Sequence, residues 1–183
     1  MKTIYLIRHG KPLFPGGKHM CLGRTDIPLC EEGFMQAEKA AMELDGLEFE
    51  LFSSPLIRAK ETAAAFKKPF KIIDDLKELY AGQWDGLSFD EIKVRYPELY
   101  AARGNDKTLP LPGAEDNDAG LNRFKNALIS AAESSLGDIA VVAHAGVMGL
   151  LLKDMGSKRQ KPDYGEILYI SYENKNFKLI GEN

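Results

Sequence analysis

Two short apolar runs constrain this chain more than any other feature of it. Residues 3–7 (Thr-Ile-Tyr-Leu-Ile) and 139–143 (Ile-Ala-Val-Val-Ala) are rich in β-branched side chains and show no polar alternation. An unbroken apolar strand is buried on both faces, the situation of a parallel strand with helices above and below it. Helical patterns fall between such runs. The stretch 31–45 sets Phe34, Ala37, Ala41 and Leu44 on one face, and 116–136 does the same with Leu121, Phe124, Leu128, Ala132 and Leu136. Pro55 opens a helix predicted over 55–67. Ser88 and Glu91 spell a capping box for a helix over 88–96, and 147–155 reads as a further helix. Strands are expected at 49–53, 70–73, 138–143, 166–172 and 177–180, the last two as a hairpin around Asn174. This alternation predicts an α/β three-layer sandwich, with a mostly parallel central sheet flanked by helices. The stretch 74–118 breaks the alternation and reads as a small inserted cap over one end of the sheet, with a polar, Pro-rich loop at 103–112. A length of 183 residues fits a single domain, 1–183.

Composition excludes several classes. Apolar residues make up 44% of the chain and charged ones 28%, enough apolar surface to offset the entropy of ordering. No run approaches the roughly 20 apolar residues that span a bilayer. One Lys leads straight into the first strand, so no signal peptide is expected. The net charge of −3 leaves no basic excess to grip a nucleic-acid backbone. Two cysteines, Cys21 and Cys30, cannot build a disulfide framework, and a reducing cytoplasm fits.

Chemistry concentrates where the two apolar runs end. Of three histidines, His9 directly follows Arg8 after the first run, and His144 directly follows Ala143 after the last. In open α/β sheets, ligands bind outside the carboxyl ends of the strands. One such histidine would be a structural cap; two of three in the same setting point to a site. Arg58 lies one turn into the helix after the strand ending at Ser53. There the free N–H groups of the helix N-terminus and a guanidinium fork suit a phosphate. No P-loop, dinucleotide fingerprint or serine elbow is present. His19, Cys21 and Cys30 match no common zinc spacing, so no metal and no cofactor are expected.

These residues resemble the histidine phosphatase superfamily, in its phosphoglycerate-mutase-like branch. The resemblance is carried by Leu6-Ile-Arg-His-Gly10, Gly23-Arg-Thr-Asp-Ile-Pro-Leu29, Ser53-Ser-Pro-Leu-Ile-Arg-Ala-Lys-Glu-Thr62, Leu76-Lys-Glu-Leu-Tyr-Ala-Gly-Gln-Trp-Asp-Gly86, Pro112-Gly113 and Val141-Val-Ala-His-Ala-Gly146, in that order. It implies that His9 is a nucleophile that becomes phosphohistidine. It implies that Arg8, Arg58 and His144 hold the phosphoryl oxygens, and that Glu78 is the proton donor. Gly23, Thr25 and Ala145 would border the substrate. The chain departs from the family at Lys11-Pro12, where an acidic residue and a hydroxyl residue are usual, and at Cys30. The phosphoryl-handling residues themselves are intact.

Beyond Arg58, the region between the second and last parallel strands is short and holds only Arg95, Arg103 and Arg123, with no adjacent pair to grasp a carboxylate. That favours hydrolysis over a mutase reaction. The compact length and the Gly23–Leu29 stretch are most similar to α-ribazole phosphatases, so α-ribazole 5′-phosphate is the candidate substrate. A mutase and a catalytically weak phosphoester-binding protein are the alternatives. The expected partner is a small-molecule phosphate ester, with no nucleic acid or membrane, acting on a monomer or homodimer in the cytoplasm.

Overall fold

The first strand, β1 (Lys2–Arg8), alternates its buried side chains between two cores: Ile4 and Leu6 on one side, Tyr5 and Ile7 on the other. β4 (Ile139–Ala143) does the same, with Val141 facing one core and Ala140 and Val142 the other. This is why neither run alternates in polarity. The computed structural model of the chain describes residues 1–106 and 109–181. Its strands β2 (Glu50–Ser53), β3 (Phe70–Ile72), β5 (Ile167–Glu173) and β6 (Asn176–Leu179) complete one sheet of order β3-β2-β4-β1-β5-β6. β3, β2, β4 and β1 run parallel, while β5 and β6 add an antiparallel edge. That edge is a hairpin turning through Asn174 and Lys175, both at positive φ, as a tight two-residue turn requires.

Helices cover both faces, as the sequence predicts. α1 (Glu31–Glu43) and α2 (Ile57–Ala64) bury Ala40, Ala59 and Ala63 against Tyr5, Ile7 and Val142. α5 (Asn117–Ser134) and α6 (Ala145–Asp154) bury Phe124, Leu128, Met148 and Leu151 against Leu6, Val141 and Ile170. The small alanines of the first pair let those helices lie close to the sheet. No helix among the described residues is long and apolar enough to cross a membrane.

Three local expectations are corrected. The helix expected over 88–96 is α3 (Phe89–Arg95), and an unexpected second helix, α4 (Pro97–Asn105), follows it, so 103–105 is helical and not loop. Tyr96, at φ −135° and ψ 54°, breaks the first, and Pro97 starts the second where its missing N–H costs nothing. Residues 107 and 108 of the expected loop lie outside the described residues. α6 starts at Ala145, two residues earlier than its apolar pattern indicates. Leu136 lies beyond the end of α5 and is fully exposed, and Phe34 is 44% exposed on α1. The capping box stands as read: the Ser88 hydroxyl accepts from the Glu91 N–H while the Glu91 carboxylate accepts from the Ser88 N–H at 2.9 Å.

The long loop 10–30 is held by carboxylates rather than by regular structure. Asp26 accepts from the Ile57 N–H at 2.7 Å, which ties the loop to the start of α2. Glu61, one turn further along, accepts from the Leu29 N–H at 2.7 Å. Pro12 and Leu29 form an isolated bridge that closes the loop on itself.

Leu128 is fully buried between α5 and the sheet. Leu128→Ala should lower stability by about 2–5 kcal/mol, because the cavity it leaves cannot collapse against a sheet. Denaturant unfolding checks this: the midpoint should fall with little change in slope.

Candidate active site

Parallel pairing of β1 with β4, in the register Arg8 to Ala143, brings the residues after each strand side by side. The His9 N–H donates to the Ala143 carbonyl at 3.1 Å, and the two imidazoles of His9 and His144 lie 5.0 Å apart between centroids. β2 lies on the other side of β4, so Ser54, just past its end, reaches His144. The Ser54 hydroxyl and His144 Nε2 are 2.7 Å apart. Both histidines and Ser54 are buried.

The partners of His9 settle its tautomer. Nδ1 lies 2.7 Å from the Gly10 carbonyl, which can only accept, so Nδ1 carries the proton. Nε2 lies 3.3 Å from Arg58 Nε, which can only donate, so Nε2 holds the lone pair. Burial, then the nearby Arg58 charge and, less strongly, Arg8, hold the His9 pKa well below the ordinary imidazole value. His144 is lowered in the same way, by burial and then by Arg58 and His9. Two neutral imidazoles therefore sit among cations.

The two guanidiniums are fixed differently. Arg58 is 1% exposed, and its two terminal nitrogens each donate at 2.9 Å, to the carbonyls of Thr25 and Gly23. Arg8 donates to the Pro162 carbonyl at 2.8 Å and stacks on the Tyr164 ring, 3.6 Å from its centroid. Arg8 Nε and His144 Nδ1 are buried without a hydrogen-bond partner, two of four such side-chain atoms among the described residues. Orphaned polar atoms inside a folded protein call for a physical explanation.

Glu78 approaches from the irregular stretch after β3. It sits at the N-terminus of α6, where one carboxyl oxygen accepts from the Gly146 N–H at 2.8 Å and the other from Val147 at 3.0 Å and Leu79 at 2.9 Å. Burial pushes its pKa up, and the three N–H bonds and Arg58 pull it only part of the way back. The helix end that opposes this burial is visible only in the fold. Glu78 and Gly146 line a cavity of about 590 Å³, with Leu22, Leu79, Leu111 and Arg103 further out.

His9, His144, Arg8, Arg58 and Glu78 are therefore gathered at one sheet edge. Gly23 and Thr25 lie beside them, but their carbonyls are engaged by Arg58. Ala145 is the first residue of α6. The sequence assigned no role to Tyr164, which lies in no motif, or to Asp85, which lies within the 76–86 motif and whose carboxylate binds the 23–25 loop. Among the described residues, no three His, Cys, Asp or Glu side chains are grouped to hold a metal ion.

A three-layer α/β sandwich with paired neutral histidines and buried arginines at the carboxyl ends of its parallel strands defines a class built around an anion site. Residues 4–179 match the Histidine phosphatase superfamily (branch 1), and the chain belongs to that family. It is 30% identical over 167 residues to the fructose-2,6-bisphosphatase TIGAR of Xenopus laevis, covering 84% of this chain and 60% of that protein. The chain spans less than two thirds of the length of the curated relatives it matches. The alpha-ribazole phosphatase from Shigella flexneri superposes with a TM-score of 0.80 at 26% identity, covering 97% of this chain and 94% of that one. YhfR from Bacillus stearothermophilus shares the fold with a TM-score of 0.86 at 24% identity, over 98% and 96% of the two chains.

Gly146 is needed for the approach of Glu78. A Cβ there would stand 2.5 Å from a carboxyl oxygen. Gly146→Ala should displace the carboxyl and cut turnover about 10-fold or more, as for a misplaced catalytic group. Thermal melting measured beside the kinetics should show little change.

Proposed function

We propose that this protein is a phosphomonoesterase that hydrolyses a small phosphate ester through a phosphohistidine on His9. The observation that carries the reading is the locked tautomer of His9, whose Nε2 holds the lone pair and meets the guanidinium of Arg58. Phosphoryl transfer depends mostly on positioning and charge stabilisation, and these residues are of the kind to provide both. Nε2 attacks phosphorus as the ester P–O bond breaks. Arg58, Arg8 Nε and His144 Nδ1 donate to the three phosphoryl oxygens, which accounts for the two orphaned atoms. His144 can donate from Nδ1 when the Ser54 hydroxyl donates to its Nε2. Glu78 gives its proton to the leaving alkoxide. It then takes a proton from the water that attacks phosphohistidine, and the N–P bond electrons return to Nε2. A carboxyl pushed up by burial but held by N–H donors suits both the acid and the base step.

The substrate is read from the cavity. Among its described lining residues, Arg103 is the only cation; Glu115 is already paired with Arg24 and Arg123, and Asp116 caps α5. That balance suits an uncharged, partly apolar alcohol better than one bearing a second phosphate or a carboxylate. It supports a compound such as α-ribazole 5′-phosphate, which the name of the Shigella flexneri phosphatase also suggests. It favours hydrolysis over a mutase reaction and weighs against the bisphosphate in the Xenopus relative's name. In this reading 74–118 serves as the cap over the strand ends, since it supplies Glu78, Arg103 and much of the cavity wall. Two cysteines without a disulfide fit work in a reducing cytoplasm.

Brief mixing with phosphate-labelled substrate should leave acid-labile, base-stable label on wild-type protein and none on His9→Ala. Label on a serine or aspartate, or label surviving in His9→Ala, would refute the nucleophile. Product analysis with α-ribazole 5′-phosphate, 3-phosphoglycerate and sugar phosphates should find free phosphate rather than an isomerised ester.

The pH profile follows from two signs. His9 must be neutral, and its lowered pKa carries the acid limb below the ordinary imidazole value. Glu78 must be protonated, and its raised pKa carries the basic limb above the ordinary carboxylate value. For alkyl phosphates kcat/KM should therefore rise and then fall with pH. Glu78→Gln should lose the basic limb and about 10²–10⁴ in rate on alkyl phosphates. It should lose far less in forming phosphohistidine from p-nitrophenyl phosphate, whose phenolate leaves unaided. Equal damage on both substrates in pre-steady-state bursts would remove Glu78 from the proton-donor role.

A further inference from the structure

Arg58 is held by the carbonyls of a loop segment, 23–25, whose three N–H groups are held by one side chain. Asp85 Oδ2 accepts from the Arg24 N–H at 2.7 Å, and Oδ1 accepts from the N–H groups of Gly23 and Thr25, both at 3.1 Å. Three consecutive backbone donors thus converge on one carboxylate, a concave arrangement suited to an anion. Two of these residues also present their carbonyls to Arg58. Those of Gly23 and Thr25 receive the two terminal nitrogens of Arg58, whose Nε meets His9. A continuous chain of hydrogen bonds therefore runs from Asp85 through the 23–25 backbone to Arg58 and ends on the nucleophilic nitrogen.

The packing around this chain leaves little slack. A Cβ on Gly23 would stand 2.8 Å from the Asp85 carboxylate and 2.6 Å from both the Ala81 nitrogen and the Leu79 carbonyl. Gly86, next to Asp85, sits at φ +81°, with the Thr25 hydroxyl 2.7 Å from where its Cβ would be. A glycine on each side is what allows the two segments to meet. Asp85 also lies in the same irregular stretch as Glu78, so one segment reaches both the proton donor's position and the arginine's support. Buried Arg58 loses hydration, and Glu78, Asp26 and Asp85 are the carboxylates whose charge opposes that loss.

We propose that Asp85 is a positioning residue of the reaction centre: by organising the Gly23-Arg24-Thr25 backbone it fixes the guanidinium of Arg58 against His9 and the phosphoryl oxygens. This rests on the phosphohistidine reading above. Asp85 touches neither substrate nor nucleophile and acts only through Arg58. Asp85→Asn keeps the volume but turns one acceptor into a donor, which opposes the loop N–H it faces. The loop must then turn, and its carbonyls leave Arg58.

The test is a double-mutant cycle with Arg58→Lys, read by kcat/KM and its pH dependence. Asp85→Asn should lose about 10–100-fold in kcat/KM, the scale of a displaced catalytic group. In the Arg58→Lys background the same change should cost less than about 3-fold, because the interaction it serves is already gone. The acid limb should move up by about half a pH unit or more, since a released Arg58 no longer disfavours protonated His9. Wild-type kcat/KM in Asp85→Asn, an equal cost in both backgrounds, or lost activity with an unmoved acid limb would each overturn the proposal. If melting shows Asp85→Asn unfolded at the assay temperature, Asp85→Glu takes its place in the cycle, under the same expectations and the same refutations. Failure of wild type to form phosphohistidine would instead sink the functional reading, so the two failures are distinguishable.

Discussion

The parallel pairing of β1 with β4 is the constraint on which the rest depends. Strands far apart in sequence lie side by side and point the same way, so the residues that follow each emerge at one edge. Parallel neighbours need a long crossover between them, and here the crossover carries β2, which supplies Ser54 and, through α2, Arg58. Had β1 and β4 met antiparallel, His9 and His144 would stand at opposite ends of the sheet. The buried faces of these strands hold the pairing in place. Ile4, Leu6, Val141 and Val142 are fully buried, and a one-residue slip would exchange every side chain between the two cores.

The price of the site is burial of charge. Arg58, Arg8 and Glu78 are all at least nine-tenths removed from solvent, and unpaired buried ions are costly. Each is compensated by backbone rather than by one dedicated counter-ion. Arg58 has two loop carbonyls, Arg8 has the Pro162 carbonyl and the Tyr164 ring, and Glu78 has three N–H groups. Backbone partners stabilise a charge without neutralising it by proton transfer. A phosphoryl group entering the site would therefore meet cations that are positioned but not fully satisfied. The same burial lowers the pKa of His9 and raises that of Glu78, so one physical cause acts on groups of opposite kind.

The loop 10–30 shows how a segment without regular structure becomes a rigid part of a site. Its length and its proline and glycine content are those of a flexible connection. Asp26, Glu61 and Asp85 each accept backbone N–H groups across it and substitute for the ladder bonds a strand would have made. The donors are in the loop or at the start of α2, and the acceptors are scattered over the chain. No periodicity in the sequence could announce these contacts.

Much of this molecule is legible in its residues alone. The apolar runs, the helical spacing and the Ser88–Glu91 box determine most elements and both layers of helices, because burial periodicity is a local property. His9, His144, Arg8, Arg58 and Glu78 were legible as candidates from strand-end position and from the order of motifs. The second helix that follows Tyr96 was not, because Pro97 can start a helix as readily as end one. The exposure of Phe34 and Leu136 was also hidden, since an apolar residue at helical spacing is buried only if a partner layer lies over it. Only the tertiary structure decided the state of the site: which nitrogen of His9 holds the lone pair, that a helix end opposes the burial of Glu78, and that Asp85 and Tyr164 support the two arginines. The reason is physical. Element type depends on neighbours along the chain, whereas tautomer, pKa and positioning depend on neighbours in space, which only the packing of distant segments brings together.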